Sequence, residues 1–116
     1  MVKEIQFKEG VRFKRWTRAL EVIFSKIRLV QSRYEWTPEI ITITSVNDGQ
    51  HMVGSRHYID EAVDVRSKNF SDMADKLFFV SILREELGFQ FTVLFENQGT
   101  DNEHFHVQVR KGIILT

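Results

Sequence analysis

Apolar residues fall at Phe13, Trp16, Leu20, Ile23, Phe24 and Ile27 within VRFKRWTRALEVIFSKIRLVQSRY. Steps of three and four draw one stripe down a cylinder, so an amphipathic helix is predicted over 11–34. Its other face is basic, with Arg12, Lys14, Arg15 and Arg18. Such a face is ordinarily just solvated, but it also suits an anionic partner such as a cell-wall polymer. Pro38 ends the periodicity. EIITITSV (39–46) alternates and is rich in β-branched residues, which predicts a strand. NDGQHMVG (47–54) reads as a turn-rich loop and EAVDVR (61–66) as a short second strand.

SDMADKLFFVSILREELG (71–88) predicts a second helix. Ser71 is its expected N-cap, Asp72 and Asp75 suit the positive helix start, and Gly88 suits the stop. Leu77, Val80, Ile82, Leu83 and Leu87 are expected on its buried side. The remainder reads as a hairpin: FQFTVLFE and HFHVQVRKGIIL joined by NQGTDNE, a longer connection than a tight turn needs. The predicted architecture is α+β, a small antiparallel sheet with two main helices packed on it.

A length of 116 residues with 42% apolar content fits one domain, 1–116, with one modest core. Lys+Arg and Asp+Glu balance at 16 each, which gives no support for a general nucleic-acid binder. The absence of cysteine excludes disulfides, thiolate zinc sites and cysteine nucleophiles. No apolar run at the amino terminus has the form of a signal peptide, and none reaches the ~18 residues of a bilayer span. A chain made in the cytoplasm, without stable membrane insertion, is expected; any export needs outside help.

Three of the four histidines sit in two places, His57 in GSRHYIDEAVDVRS, and His104 and His106 in NEHFHVQV. With Asp64 on a short strand and His57 in the loop leading into it, both side chains can converge on one metal. His104 and His106 are two apart on a strand, so they share one sheet face while Phe105 points the other way. Either histidine can complete a three-ligand zinc site. A base for the attacking water is then needed, and Glu103 and Glu96 are the candidates. Ser55 lacks the G-x-S-x-G surroundings of a serine nucleophile. Outside a metal site, these residues would be ordinary loop and strand polar groups.

SRHYIDEAVD resembles the S-x-H-x-x-G-x-A-x-D signature of the LAS metallopeptidases, the group of lysostaphin, the D-Ala-D-Ala peptidases and hedgehog. HFH matches the group's H-x-H motif, and EHFH the E-x-x-H spacing of its D-Ala-D-Ala carboxypeptidases. Short phage-encoded peptidases share the run from Thr44 to Arg66, and the resemblance covers roughly residues 40–110. It implies His57, Asp64 and His106 as zinc ligands, Glu103 as general base and His104 as transition-state helper. Hedgehog-like members carry the glutamate on the preceding strand, which would be Glu96. Ser55 would order the site by hydrogen bonding. His51 falls in a recurrent D-G-x-H run without an assigned role. Arg66 would anchor a substrate carboxylate or pair with a surface acid. Two departures stand out: Asp60 occupies the signature glycine, and TSVNDGQ lacks the family's S-G-Y-R arginine, a gap that Arg33 or Arg56 would have to fill. The departure leaves carboxypeptidase and endopeptidase action both open. The expected function is zinc-dependent cleavage of peptidoglycan stem peptides, as in a phage-type cell-wall hydrolase with phage-mediated access to the wall. The alternatives are a catalytically altered zinc-binding module of the same fold, as hedgehog exemplifies, and a metal-free phage or bacterial assembly protein.

Overall fold

The computed structural model describes residues 2–46 and 61–115. Its elements are β1 (Glu4–Phe7), α1 (Arg18–Arg33), β2 (Ile40–Ser45), β3 (Ala62–Arg66), α2 (Met73–Leu87), β4 (Phe91–Glu96) and β5 (His104–Val109). The predicted α+β class holds, and both long helices and four of the five strands stand where the pattern put them.

The sheet is mixed rather than purely antiparallel. Its order is β1-β2-β3-β5-β4, and the edge strand β1 runs parallel to β2. EIQF is too short to show periodicity, and tertiary contacts hold it. The fully buried Gln31 of α1 donates from Nε2 to the carbonyls of Glu4 (2.9 Å) and Glu39 (3.1 Å), one beside each strand's start. Lys3 Nζ donates to the carbonyls of Gln31 and Tyr34 at 2.9 and 2.7 Å, satisfying the orphan acceptors at the end of α1.

α1 is shorter than its apolar stripe suggested. Thr17 caps it, its hydroxyl accepting from Leu20 N at 3.2 Å, so the helix begins at Arg18. Phe13 and Trp16 continue the helical spacing by coincidence and lie in the preceding loop, half exposed. In α2 the cap is Asp72, not Ser71, because it is the Asp72 carboxylate that accepts from Asp75 N at 2.9 Å. Gly88 ends the helix at φ +79°. Phe79, Val80, Leu83 and Leu87 are buried, whereas Leu77 faces solvent.

Both helices cover one face of the sheet. Phe70, Phe79, Phe95 and Phe105 meet there with ring centroids 4.8 to 5.2 Å apart, joined by Ile41, Ile43, Val63, Val65 and Val107. Along β5, Phe105, Val107 and Val109 are fully buried and alternate with partly exposed His104, His106 and Gln108. The apolar residues anchor the strand in the core, and the period of two turns the histidines to the opposite face.

Candidate metal centre

Register assembles the site. Asp64 of β3 lies opposite His106 of β5, and Arg66 opposite His104. On the other side of β5, Glu96 of β4 lies opposite His104 and Leu94 opposite His106. Four chemistry-bearing side chains from three strands therefore meet on the face away from the helices.

Asp64 Oδ1 is 2.8 Å from His106 Nδ1. His106 Nε2 is 2.7 Å from Gln108 Oε1, so both ring nitrogens face oxygen acceptors. Burial alone lowers the pKa of this imidazole. The hydrogen bonds to Asp64 and Gln108, with the charges of Asp64 and Glu96, outweigh that and raise it. His104 Nδ1 lies 2.7 Å from the Asn102 carbonyl, which can only accept, so Nδ1 carries the proton. Its Nε2 is turned to Glu96 Oε1 at 3.1 Å and Asp64 Oδ1 at 3.9 Å. A nitrogen lone pair facing two carboxylates needs a proton or a cation between them.

Asp64, Glu96 and His104 each present a ligand atom within 4.8 Å of the others, and the group could hold a metal ion. The donor chemistry fits: imidazole nitrogen and carboxylate oxygen are borderline-to-hard ligands, and His104 is oriented by a backbone carbonyl in the manner of metal-ligating histidines. His106 stands beside this group rather than in it, with its two ring nitrogens bonded to Asp64 and Gln108. Glu96 keeps 41% of its side-chain surface, against 13% for His106 and 19% for Asp64, which makes it the most accessible of the group. An open cleft of about 360 Å³ adjoins the cluster, and its lining mixes Lys8, Arg66 and Lys68 with Asp64, Asp101 and Glu103, beside His104. Arg66 thus borders the cleft among charges of both signs.

Glu103, expected as the base, lines the same cleft, but its carboxylate is already bonded. Its carboxylate accepts from Lys76 Nζ and Ser67 Oγ, each at 2.6 Å, and from Gly99 N at 2.8 Å. Lys76 belongs to α2, so the carboxylate is tied to that helix. Burial by itself raises the pKa of this group, but the Gly99 N–H, the Lys76 ammonium and the Ser67 hydroxyl bring it down to about 2. An ionised carboxylate so thoroughly bonded is a poor proton acceptor. His57, Ser55, His51 and Asp60 lie outside the described residues.

No protein family, curated protein or solved structure matches the chain. No helix among the described residues is long and apolar enough to cross a membrane.

Proposed function

We propose that the chain is a zinc-dependent peptidase acting on the peptide stems of bacterial peptidoglycan. The observation that carries this reading is the convergence of Asp64, Glu96, His104 and His106 on one sheet face beside an open cleft. The resemblance to LAS peptidases supplies the substrate class and the third ligand, His57. Under this reading Asp64, His106 and His57 hold the ion. Zinc, when bound, supplies a Lewis acid for the scissile carbonyl and brings the pKa of its water near 7.

Glu96 is the base in this scheme. It faces the cluster from β4, is partly exposed, and lies 3.1 Å from the His104 ring. It takes the proton of the attacking water and delivers it to the leaving amine. His104, fixed by the Asn102 carbonyl, aims Nε2 at the same point. With a proton on Nε2 it donates to the oxyanion that develops on the substrate carbonyl.

The commitment of Glu103 to Lys76 also favours a second reading, a zinc-binding module of the same type without hydrolysis. Purified peptidoglycan and synthetic stem peptides, incubated with zinc-loaded protein and separated chromatographically, decide between them. New amino termini that depend on Glu96 are expected. Full zinc occupancy with no cleavage would leave the module reading standing, and no zinc uptake would remove both.

A further inference from the structure

β5 carries a third polar residue on the metal-centre face. His104, His106 and Gln108 alternate with the buried Phe105, Val107 and Val109, so their side chains stand in one row. Gln108 lies opposite Ala62 of β3 and Thr92 of β4, neither of which carries a charge. Its amide spans two groups. Nε2 donates to the Val109 carbonyl at 3.2 Å, and Oε1 lies 2.7 Å from His106 Nε2. A carbonyl oxygen only accepts, so the Val109 contact takes the amino end and leaves the amide oxygen facing the ring. That oxygen also only accepts, so His106 Nε2 carries a proton. The other ring nitrogen, Nδ1, faces Asp64 Oδ1 at 2.8 Å. One run of hydrogen bonds thus leads from the β5 backbone through Gln108 and His106 to Asp64.

We propose that Gln108 is a positioning residue of the metal centre: it holds the His106 ring by Nε2–H, so that Nδ1 is the atom presented to Asp64 and to an ion bound there. The inference rests on the reading in which Asp64 and His106 are ligands. A metal-ligating histidine ordinarily gives its second N–H to an oxygen acceptor, which fixes its tautomer and the direction of its ring. His104 has such an acceptor in the Asn102 carbonyl. For His106 the place beside Nδ1 is taken by Asp64, itself a ligand, and Gln108 supplies the acceptor on the far side of the ring. Without Gln108, the Nε2–H of a side chain only 13% exposed loses this partner, and the ion alone has to hold the ring in place.

The test compares the parent with Gln108→Leu, which removes the acceptor and keeps the bulk, and Gln108→Glu, which keeps an acceptor. Zinc affinity is measured by chelator competition, fold by thermal melting, and the state of the His106 nitrogens by NMR of the zinc-loaded parent. The expected result is an affinity about 10–100-fold weaker in Gln108→Leu, recovery to within about ten-fold of the parent in Gln108→Glu, and melting of both near the parental value. His106 should carry its proton on Nε2 and zinc on Nδ1. Should Gln108→Leu not fold, Gln108→Thr, a strand former too short to reach the ring, replaces it. Parental zinc affinity without the acceptor overturns the role of Gln108 and leaves the metal reading intact. Loss of affinity in step with melting in both variants also overturns it, since that is the signature of packing. A proton kept on Nδ1 with zinc bound, or no zinc uptake by the parent, overturns the ligand reading itself and the positioning role with it.

Discussion

Glu103 and His104 are neighbours in the chain and line one cleft, yet their side chains are bonded to different elements. Glu103 Oε1 lies 2.6 Å from Lys76 Nζ of α2, while His104 Nε2 lies 3.1 Å from Glu96 Oε1 of β4. The strand period of two joins His104 to His106, while Glu103, just before β5, is held by Lys76, Ser67 and Gly99.

Glu103 is therefore expected to govern acid stability. Its folded pKa of about 2 lies below the ordinary 4.5. A lowered carboxyl pKa gives stability that is complete above 4.5 and is lost as pH falls from there toward 2. The contribution is on the order of 2 kcal/mol after allowance for solvent near the loop. Glu103→Gln should lower stability at neutral pH and flatten the acid limb. Urea unfolding across that range measures both; a variant whose acid limb is as steep as the parent's would refute the assignment.

The surroundings of Glu103 show what the sequence could and could not yield. Periodicity located α1, α2 and β2 to β5, because burial of one face forces those patterns, but it misplaced the start of α1 and the cap of α2. Spacing to His106 points to Glu103, but its bonds to Lys76, Ser67 and Gly99 are long-range or loop contacts that no spacing shows. Glu96 was reachable only as an alternative, since its place opposite His104 depends on hairpin register. β1 was not legible: four residues hold their strand through Gln31 and the parallel pairing with β2, both long-range. Phe13 and Trp16 matched the helical step, and only the Thr17 cap excludes them from α1.

Glu96 and Glu103 should separate chemistry from stability. Glu96→Gln is expected to leave melting within about 0.5 kcal/mol of the parent, as for a partly exposed polar change, and to cut hydrolysis by on the order of 10²–10⁴-fold. Glu103→Gln should do the reverse: lower melting, with near-parental turnover at a temperature where it stays folded. Steady-state kinetics on a stem peptide alongside thermal melts gives both readouts. Equal loss of turnover in a fully folded Glu103→Gln would return the base role to Glu103.

Gln31 should hold the parallel edge. Its side chain is fully buried and bridges the carbonyls of Glu4 and Glu39. Gln31→Leu keeps the bulk and removes one donor from each carbonyl, although Glu39 O keeps the Glu4 N–H, at a cost of about 0.5–1.5 kcal/mol per bond. Damage should be local before it is global. Hydrogen exchange at Glu4 N, which donates to Glu39 O at 2.7 Å, should quicken more than exchange in β5. Uniform quickening through the sheet would assign Gln31 to the general core.

Asp64 is the residue that any metal reading needs. It touches His106 at 2.8 Å and faces His104 at 3.9 Å, so it belongs to both candidate ligand groups. Asp64→Asn keeps the size and removes the charge, and zinc affinity should fall by more than the about 10–100-fold that supporting residues cost. His106→Ala should match that loss if His57, Asp64 and His106 are the ligands, whereas Glu96→Gln and His104→Ala should retain zinc within about ten-fold. Competition with a chromophoric chelator measures all four. The opposite ranking, loss in Glu96→Gln and His104→Ala with His106→Ala spared, would place the ion among Asp64, Glu96 and His104. Glu96 would then be a ligand, unavailable as the base, and the hydrolytic scheme would lose its proton acceptor.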